Sequence, residues 1–230
     1  MDTSSQHLDD TGRDNGGLIA ALSAPQPSVR LHAAMAAGTR PCPGIVPLLV
    51  ERCGVEPDFF VRDMLTWALT RQAADQVVPH LLSELRSPNP RARSQSLHTL
   101  SKIGDRGSWA GISTSVVHDA DEDVARSAWR AAVALVPDDG RAGLAAQLAE
   151  ELGRGGPEVR LSLSRALIAL GDSSAPAMRR ALTSDDPEIQ AHARATELLR
   201  ADPDREFSWA LQEARRVTIV GTEGESDADR

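Results

Sequence analysis

The sequence predicts an all-α solenoid assembled from two-helix units, and three observations predict it. The first is the stretch GPEVRLSLSRALIALGD, residues 156–172, in which Val159, Leu163, Ala166, Leu167 and Leu170 fall on one helical face. The second is punctuation: Pro157 sits in the first turn, where a missing N–H costs no hydrogen bond, and Gly171 follows the last apolar residue, where a left-handed cap is wanted. The third is recurrence. With Val159 as reference, counterparts stand at Val29, Val61, Ala92, Val124 and Ile189, an average period of 32 residues. A face that one hairpin cannot bury alone, repeated at this period, is buried by stacking hairpins on one another.

The units follow in order. Residues 1–16 are polar and read as a disordered leader, 17–216 as one continuous array, and 217–230 as an acidic disordered tail. The first unit pairs residues 17–23 with 27–38, both rich in alanine, and has the look of a cap. The second pairs 43–54 with 57–72 and the third 75–87 with 89–104, each with proline where its second helix begins. The fourth runs from Gly107 to Val136 through the acidic turn HDADEDV, and the fifth from Asp139 to Gly171. Extra length in the fifth falls in GRGG, 153–156, which reads as a flexible turn able to absorb an insertion. The sixth pairs 174–184 with 187–201, and an amphipathic helix from Glu206 to Arg216, with Phe207 and Leu211 at i and i+4, closes the array.

Two further regularities narrow the class. Proline recurs in the first helices at Pro47, Pro79 and Pro176, and arginine recurs just after the reference position at Arg30, Arg62, Arg93 and Arg160. The resulting Pro-x-Leu … Asp/Asn/Glu-Pro … Val-Arg pattern resembles the HEAT family, particularly its short bacterial members; tetratricopeptide and ankyrin signatures are absent. The resemblance covers about residues 17–216 and departs at Ala125 and Gln190, which replace the arginine. It implies a right-handed α-solenoid of about six two-helix HEAT-like repeats plus a terminal helix, with the second helices along a concave wall. It also implies that Arg30, Arg62, Arg93 and Arg160 form a structural ladder, bonding carbonyls and acids of the inter-helix turns near Asp58, Asp123 and Glu158. A phosphate-contacting ladder is the competing reading of the same residues. The segments DFFVRDMLTWALTR (58–71), LHTLSKIGD (97–105) and DVARSAWRAAVALVP (123–137) resemble HEAT proteins that accompany MerR-type transcription regulators, which implies a regulatory or ligand-sensing role. The chain shows no helix-turn-helix signature of its own.

Charge bounds the partners. The net charge is −8, and each end, 1–16 and 217–230, carries three of those negative charges, so the body holds only two. A near-neutral body argues against direct binding of nucleic acid while allowing a local basic stripe. No apolar run approaches a membrane span and the N-terminus lacks a signal-peptide pattern, so the chain reads as cytoplasmic. Cys42 and Cys53 flank the first helix of the second unit and read as reduced thiols. No metal-ligand set, phosphate loop or catalytic triad stands out: His32, His80, His98 and His192 fall in different repeats. Asp119, Asp121 and Asp123 have the opening spacing of a calcium loop, but Val124 and Arg130 occupy its glycine and glutamate positions, so a helix-capping turn is preferred.

Function is sought off the buried face. Six positions after the reference stand Met35, Trp67, His98, Arg130, Arg165 and Ala195, a column that changes from apolar to basic. Met64 and Arg126 lie about one turn earlier in their helices. Met35, Met64 and Trp67 thus form a candidate apolar patch, followed by His98 and a basic patch of Arg126, Arg130 and Arg165. Trp109 and Trp209, on first helices, read as core. The expected function is non-enzymatic: an adaptor or scaffold that holds a protein or peptide, with no cofactor, within a regulatory system. A module sensing a small apolar ligand among Met35, Met64 and Trp67 is the alternative. A remote third is a HEAT-like DNA glycosylase, for which Trp67, Trp129 and Asp63 would be the residues of interest.

Overall fold

The computed structural model describes residues 16–41, 43–204, 206–207 and 210–215 of the 230-residue chain. Most of the leader, the tail, Cys42 and Trp209 lie outside the described residues. The described residues are helical and contain no strand. They are arranged as stacked helical hairpins of the α-solenoid class, in two compact units that meet in sequence between Ile112 and Ser113.

The first unit contains α1 (16–22), α2 (Pro27–Thr39), α3 (Val46–Val55), α4 (Phe59–Thr70), α5 (Ala74–Glu84) and α6 (Pro90–Ile103). The second helices stack in series, α2 on α4 and α4 on α6, while α3 packs on α4, α5 and α6. Two glycines permit close approach: a Cβ at Gly54 of α3 would lie 2.9 Å from the Ala92 methyl of α6, and Gly38 of α2 lies under the ring of Trp67.

The second unit contains α7 (Thr114–Val117), α8 (Glu122–Leu135), α9 (Arg141–Ala149), α10 (Pro157–Ala169), α11 (Ala175–Leu182) and α12 (Pro187–Ala201), followed by a terminal helix, α13, within residues 207–215. Here α10 packs on α8 and α12, and α11 on α9 and α12. The described part of α13 buries Phe207, Ala210, Leu211 and Ala214 against Ala191, Ala195 and Leu199 of α12, with Leu161 and Ile168 of α10 at the margin.

The predicted helical face of α10 is buried in full: Val159, Leu163, Ala166, Leu167 and Leu170. The reference position is buried at Val61, Ala92, Val124 and Val159, whereas Val29 is 40 % exposed and Ile189 is half-buried. Val29 belongs to the first hairpin, which has no earlier hairpin in the described chain to cover it.

The inter-hairpin turns repeat in atomic detail. Three residues before the reference, Asp58, Asn89, Asp121 and Asp186 cap α4, α6, α8 and α12 by accepting backbone N–H groups of the first turn. Two residues earlier still, Glu56, Ser87, Asp119 and Ser184 accept the backbone N–H of the capping residue itself. The acidic turn at 119–123 follows this capping pattern.

Three sequence readings are corrected. The first helix of the fourth unit is broken into a 3₁₀ turn, Arg106–Gly111, and the single turn α7. Gly104 ends α6 in the left-handed conformation at φ +71°, and Asp105 caps the tight turn that follows through the Gly107 N–H. Trp109 therefore sits on a 3₁₀ turn and is half-buried. The turn around GRGG is also well anchored: the Gly153 N–H donates to His192 Nδ1, and Gly153 and Gly155 offer their carbonyls to Arg160.

Candidate functional site

The recurrent arginines come first, because they decide which cations are committed to the fold. Arg30 donates to the carbonyls of Ala24 and Pro25, Arg62 to those of Glu56 and Pro57, and Arg93 to that of Ser87. Each arginine thus folds back on the turn that precedes its own helix. Arg30 also makes a bidentate ion pair with Glu56 at 2.7 Å, and Arg160 pairs with Glu188 at 2.6 Å. The acids that join the ladder are therefore Glu56 and Glu188, while Asp58 caps α4.

Glu56 is completely buried, and sequence reasoning passed it over. Burial alone would push its carboxyl up, but hydrogen bonds from Arg30, the Asp58 N–H and Arg52 outweigh burial and hold it down at about 2. Its sequence signal was an acid directly before Pro57 at the turn position where the third, fourth and sixth units place serine or aspartate. Glu188 is held below the usual carboxylate range by Arg215 of α13 and by Arg160.

His192 is also fully buried, with its pKa lowered to about 4 chiefly by burial. Its Nδ1 accepts the Gly153 N–H, which assigns the remaining proton to Nε2, facing the Arg160 carbonyl and Ser164. Ser164 in turn bonds Thr196. This serine–histidine pair is a sealed structural network, since its imidazole has no lone pair left to act as base. Cys53 is buried, which pushes its thiol up to about 12 and keeps it from being a reactive thiolate.

In the first unit, the predicted apolar residues lie on α2 and α4. Met35 is 43 % and Trp67 41 % exposed, while Met64 is half-buried; His98 of α6 is half-buried as well. Trp67 rests on Gly38: a Cβ there would come within 2.2 Å of its Cζ3, so the glycine is the seat that holds the indole with one face open. A second apolar feature went unread in the sequence. Phe59 and Phe60, 65 % and 71 % exposed, form an edge-to-face pair with centroids 5.6 Å apart, and the Arg62 guanidinium lies 5.9 Å from the Phe59 centroid. Val55, at the end of α3, is exposed too. The available signal was that two aromatics precede the reference valine on the helical positions the buried face leaves out.

In the second unit, the structure brings Arg126, Arg130 and Arg165 together. They line a groove of about 250 Å³ between α8 and α10, floored by Val133, Leu161 and Ala166. Arg126 approaches Asp123 at 3.9 Å, and Arg130 donates to Ser127 Oγ at 3.3 Å. Arg165 has no ion pair among the described residues. The last member of the column, Ala195, is buried beneath α13. Trp129 is completely buried and its indole N–H donates to the Val117 carbonyl, so it cannot stack on a base; Asp63 is exposed. Among the described residues no histidine, cysteine and carboxylate group is placed to hold a metal, and no helix is long and apolar enough to cross a membrane.

The family comparison agrees with the hairpin architecture of the residues it covers. The family profile of HEAT repeats matches residues 16–83. No curated protein sequence matches the chain. Among solved structures, the chain is similar to an engineered protein (18 % identity, TM-score 0.46, covering 87 % of this chain and 97 % of that one). It is similar to human deoxyhypusine hydroxylase in complex with glycerol (16 %, 0.46, 95 % and 99 %). It is also similar to a chain of the CpcE–CpcF complex of phycocyanin lyase from Nostoc sp. PCC7120 (14 %, 0.39, 87 % and 93 %). Likeness at this level says nothing of ligand or reaction.

Proposed function

We propose that the protein is a non-enzymatic adaptor that holds a protein or peptide on the exposed side chains of its second helices, within a regulatory system of the cytoplasm. The observation that carries this reading is the set of large apolar side chains left open in the first unit: Met35, Phe59, Phe60 and Trp67. A water-soluble chain that fixes an indole on a glycine seat with one face open has a ready surface for an apolar partner group. The basic groove of the second unit supplies a separate surface of opposite character. The resemblance to HEAT proteins that accompany MerR-type regulators supports the regulatory setting, with DNA reading left to a partner.

Affinity capture from the native cytosol tests the proposal. Trp67→Ala, and separately charge reversal at Arg126, Arg130 and Arg165, should each weaken capture while leaving the thermal melt in place. If both variants retain the same partner, the reading is wrong. The alternative, a sensor of a small apolar molecule at Met35, Met64 and Trp67, predicts a tryptophan-fluorescence response to a small molecule with no protein partner present.

A further inference from the structure

The second unit contains two comparable grooves between consecutive second helices, and the chain itself fills one of them. Between α10 and α12, the described part of α13 lies on Ala191, Ala195 and Leu198, with its apolar face formed by Phe207 and Leu211. Arg215, on the same helix, closes the margin by pairing with Glu188 at 2.7 Å. Ala191, Ala195 and Leu198 stand two, six and nine positions after their reference residue, Ile189.

The same three positions after Val124 are Arg126, Arg130 and Val133, and these line the groove between α8 and α10. Leu161 of α10 belongs to both grooves. The two grooves share the wall formed by α10, and the outer wall of one carries arginines at the repeat positions where the outer wall of the other carries two alanines. Arg165, from the opposite side, adds a third cation. Glu158 also lines the groove and Asp123 lies 3.9 Å from Arg126 beside it, so three cations face two carboxylates.

From this juxtaposition we propose that the groove between α8 and α10 receives an acidic amphipathic helix of a partner protein, seated beside α13 much as α13 seats on its own groove. The proposal rests on the adaptor reading and specifies the chemistry of one partner segment. Apolar side chains of that helix would meet Val133, Leu161 and Ala166, and carboxylates on its flanks would meet Arg126, Arg130 and Arg165. The electrostatics agree with an unmet need for an anion: Arg130 has its pKa lowered by burial and by the neighbouring Arg126, and only Asp123 acts in the other direction. The apolar floor and the seated α13 favour a helix over nucleic acid, whose phosphates would gain nothing from Val133 and Leu161.

The test uses the full chain and two fluorescein-labelled helical probes, each with leucines at i, i+4 and i+7, one flanked by glutamates and the other by lysines. Fluorescence anisotropy should show the glutamate probe binding at least ~10-fold more tightly than the lysine probe, with affinity falling as salt rises. Arg126→Gln/Arg130→Gln/Arg165→Gln should remove that preference, whereas the control Arg179→Gln/Arg180→Gln on α11 should preserve it. Circular dichroism of each variant confirms that it is folded; Arg165→Gln alone, which alters an exposed residue without an ion pair among the described residues, should already reduce the preference. Equal binding of the two probes, or a preference indifferent to the arginines, overturns the proposal. Arginine-dependent binding of duplex DNA in place of the glutamate probe overturns it too. Either result leaves capture through Trp67, and with it the adaptor reading, to stand or fall separately.

Discussion

Arg154 donates to the carbonyl oxygen of Asp119 at 2.6 Å, and to that of Ala120 at 3.1 Å, across 35 and 34 residues of sequence. These two carbonyls lie six and five positions before residue 125, where the unit carries alanine instead of the recurrent arginine. Elsewhere the local arginine serves those positions: Arg30 reaches Ala24 and Pro25, and Arg62 reaches Glu56 and Pro57. The fourth hairpin thus obtains its guanidinium from the turn of the fifth. Glu151 holds Arg154 in place at 2.6 Å.

Arg154→Ala should therefore destabilise the second unit by about 1–3 kcal/mol, because the turn carbonyls lose a charge-assisted donor and Glu151 loses a cation. Adding Ala125→Arg to that variant should recover part of the loss by restoring a local donor. Thermal unfolding of the wild type, the single variant and the double variant measures both effects. No recovery in the double variant would mean that the two guanidinium positions are not interchangeable.

Glu56→Ala should be among the most damaging single changes in the first unit. It leaves Arg30, only 5 % exposed, without its bidentate partner and deprives Arg52 of a carboxylate. Breaking a buried pair from one side costs roughly 3–5 kcal/mol. A urea unfolding midpoint close to wild type would show that Glu56 is dispensable.

Acid should destabilise the protein in two separable steps. His192 binds its proton less readily when folded, at about 4, than when unfolded, near 6.5, so the unfolded state takes up more protons between these values and stability falls as pH drops through that window. The Gly153 N–H already faces Nδ1, the Arg160 carbonyl and Ser164 face Nε2, and the ring edge meets Phe207, leaving no acceptor for a second proton. The full loss should reach roughly 3 kcal/mol. Glu56 acts lower: its stabilising contribution is present above about 4.5 and disappears as pH falls toward about 2. Urea titrations from pH 7 to 4.5 should show a slope that His192→Gln removes; an unchanged slope in that variant would contradict the assignment.

Gly38→Ala should move Trp67 without unfolding the first unit. The added methyl would lie 2.2 Å from the indole Cζ3, so the ring must rotate into solvent or α2 must shift. Tryptophan emission should change and partner capture should weaken together. An emission spectrum identical to wild type would show that the seat does not fix the ring.

Much of this architecture was legible because it is local and periodic. The apolar faces, the Asp/Asn caps and the recurrent arginines each follow from spacing within one hairpin, and Arg126, Arg130 and Arg165 could be placed together by register alone. What escaped depends on groups distant in sequence. Glu56 is distinguished by Arg30, 26 residues earlier, and Arg154 by carbonyls 35 residues earlier. His192 anchors a glycine turn 39 residues away, so that turn looked loose from its own composition. The exposure of Phe59 and Phe60 was missed for another reason: hydrophobicity alone does not reveal which side of a helix lacks a neighbour.

The central claim is that the second helices carry the working surface while the recurrent arginines maintain the stack. Photo-crosslinking in the native host tests it most directly, with benzoylphenylalanine placed at Met35 or Arg130 on second helices, or at the exposed Glu51 or Arg179 on first helices. Discrete adducts with the same partner from the second-helix positions, and none from the first-helix positions, are the predicted result. Adducts confined to Glu51 or Arg179 would contradict the claim.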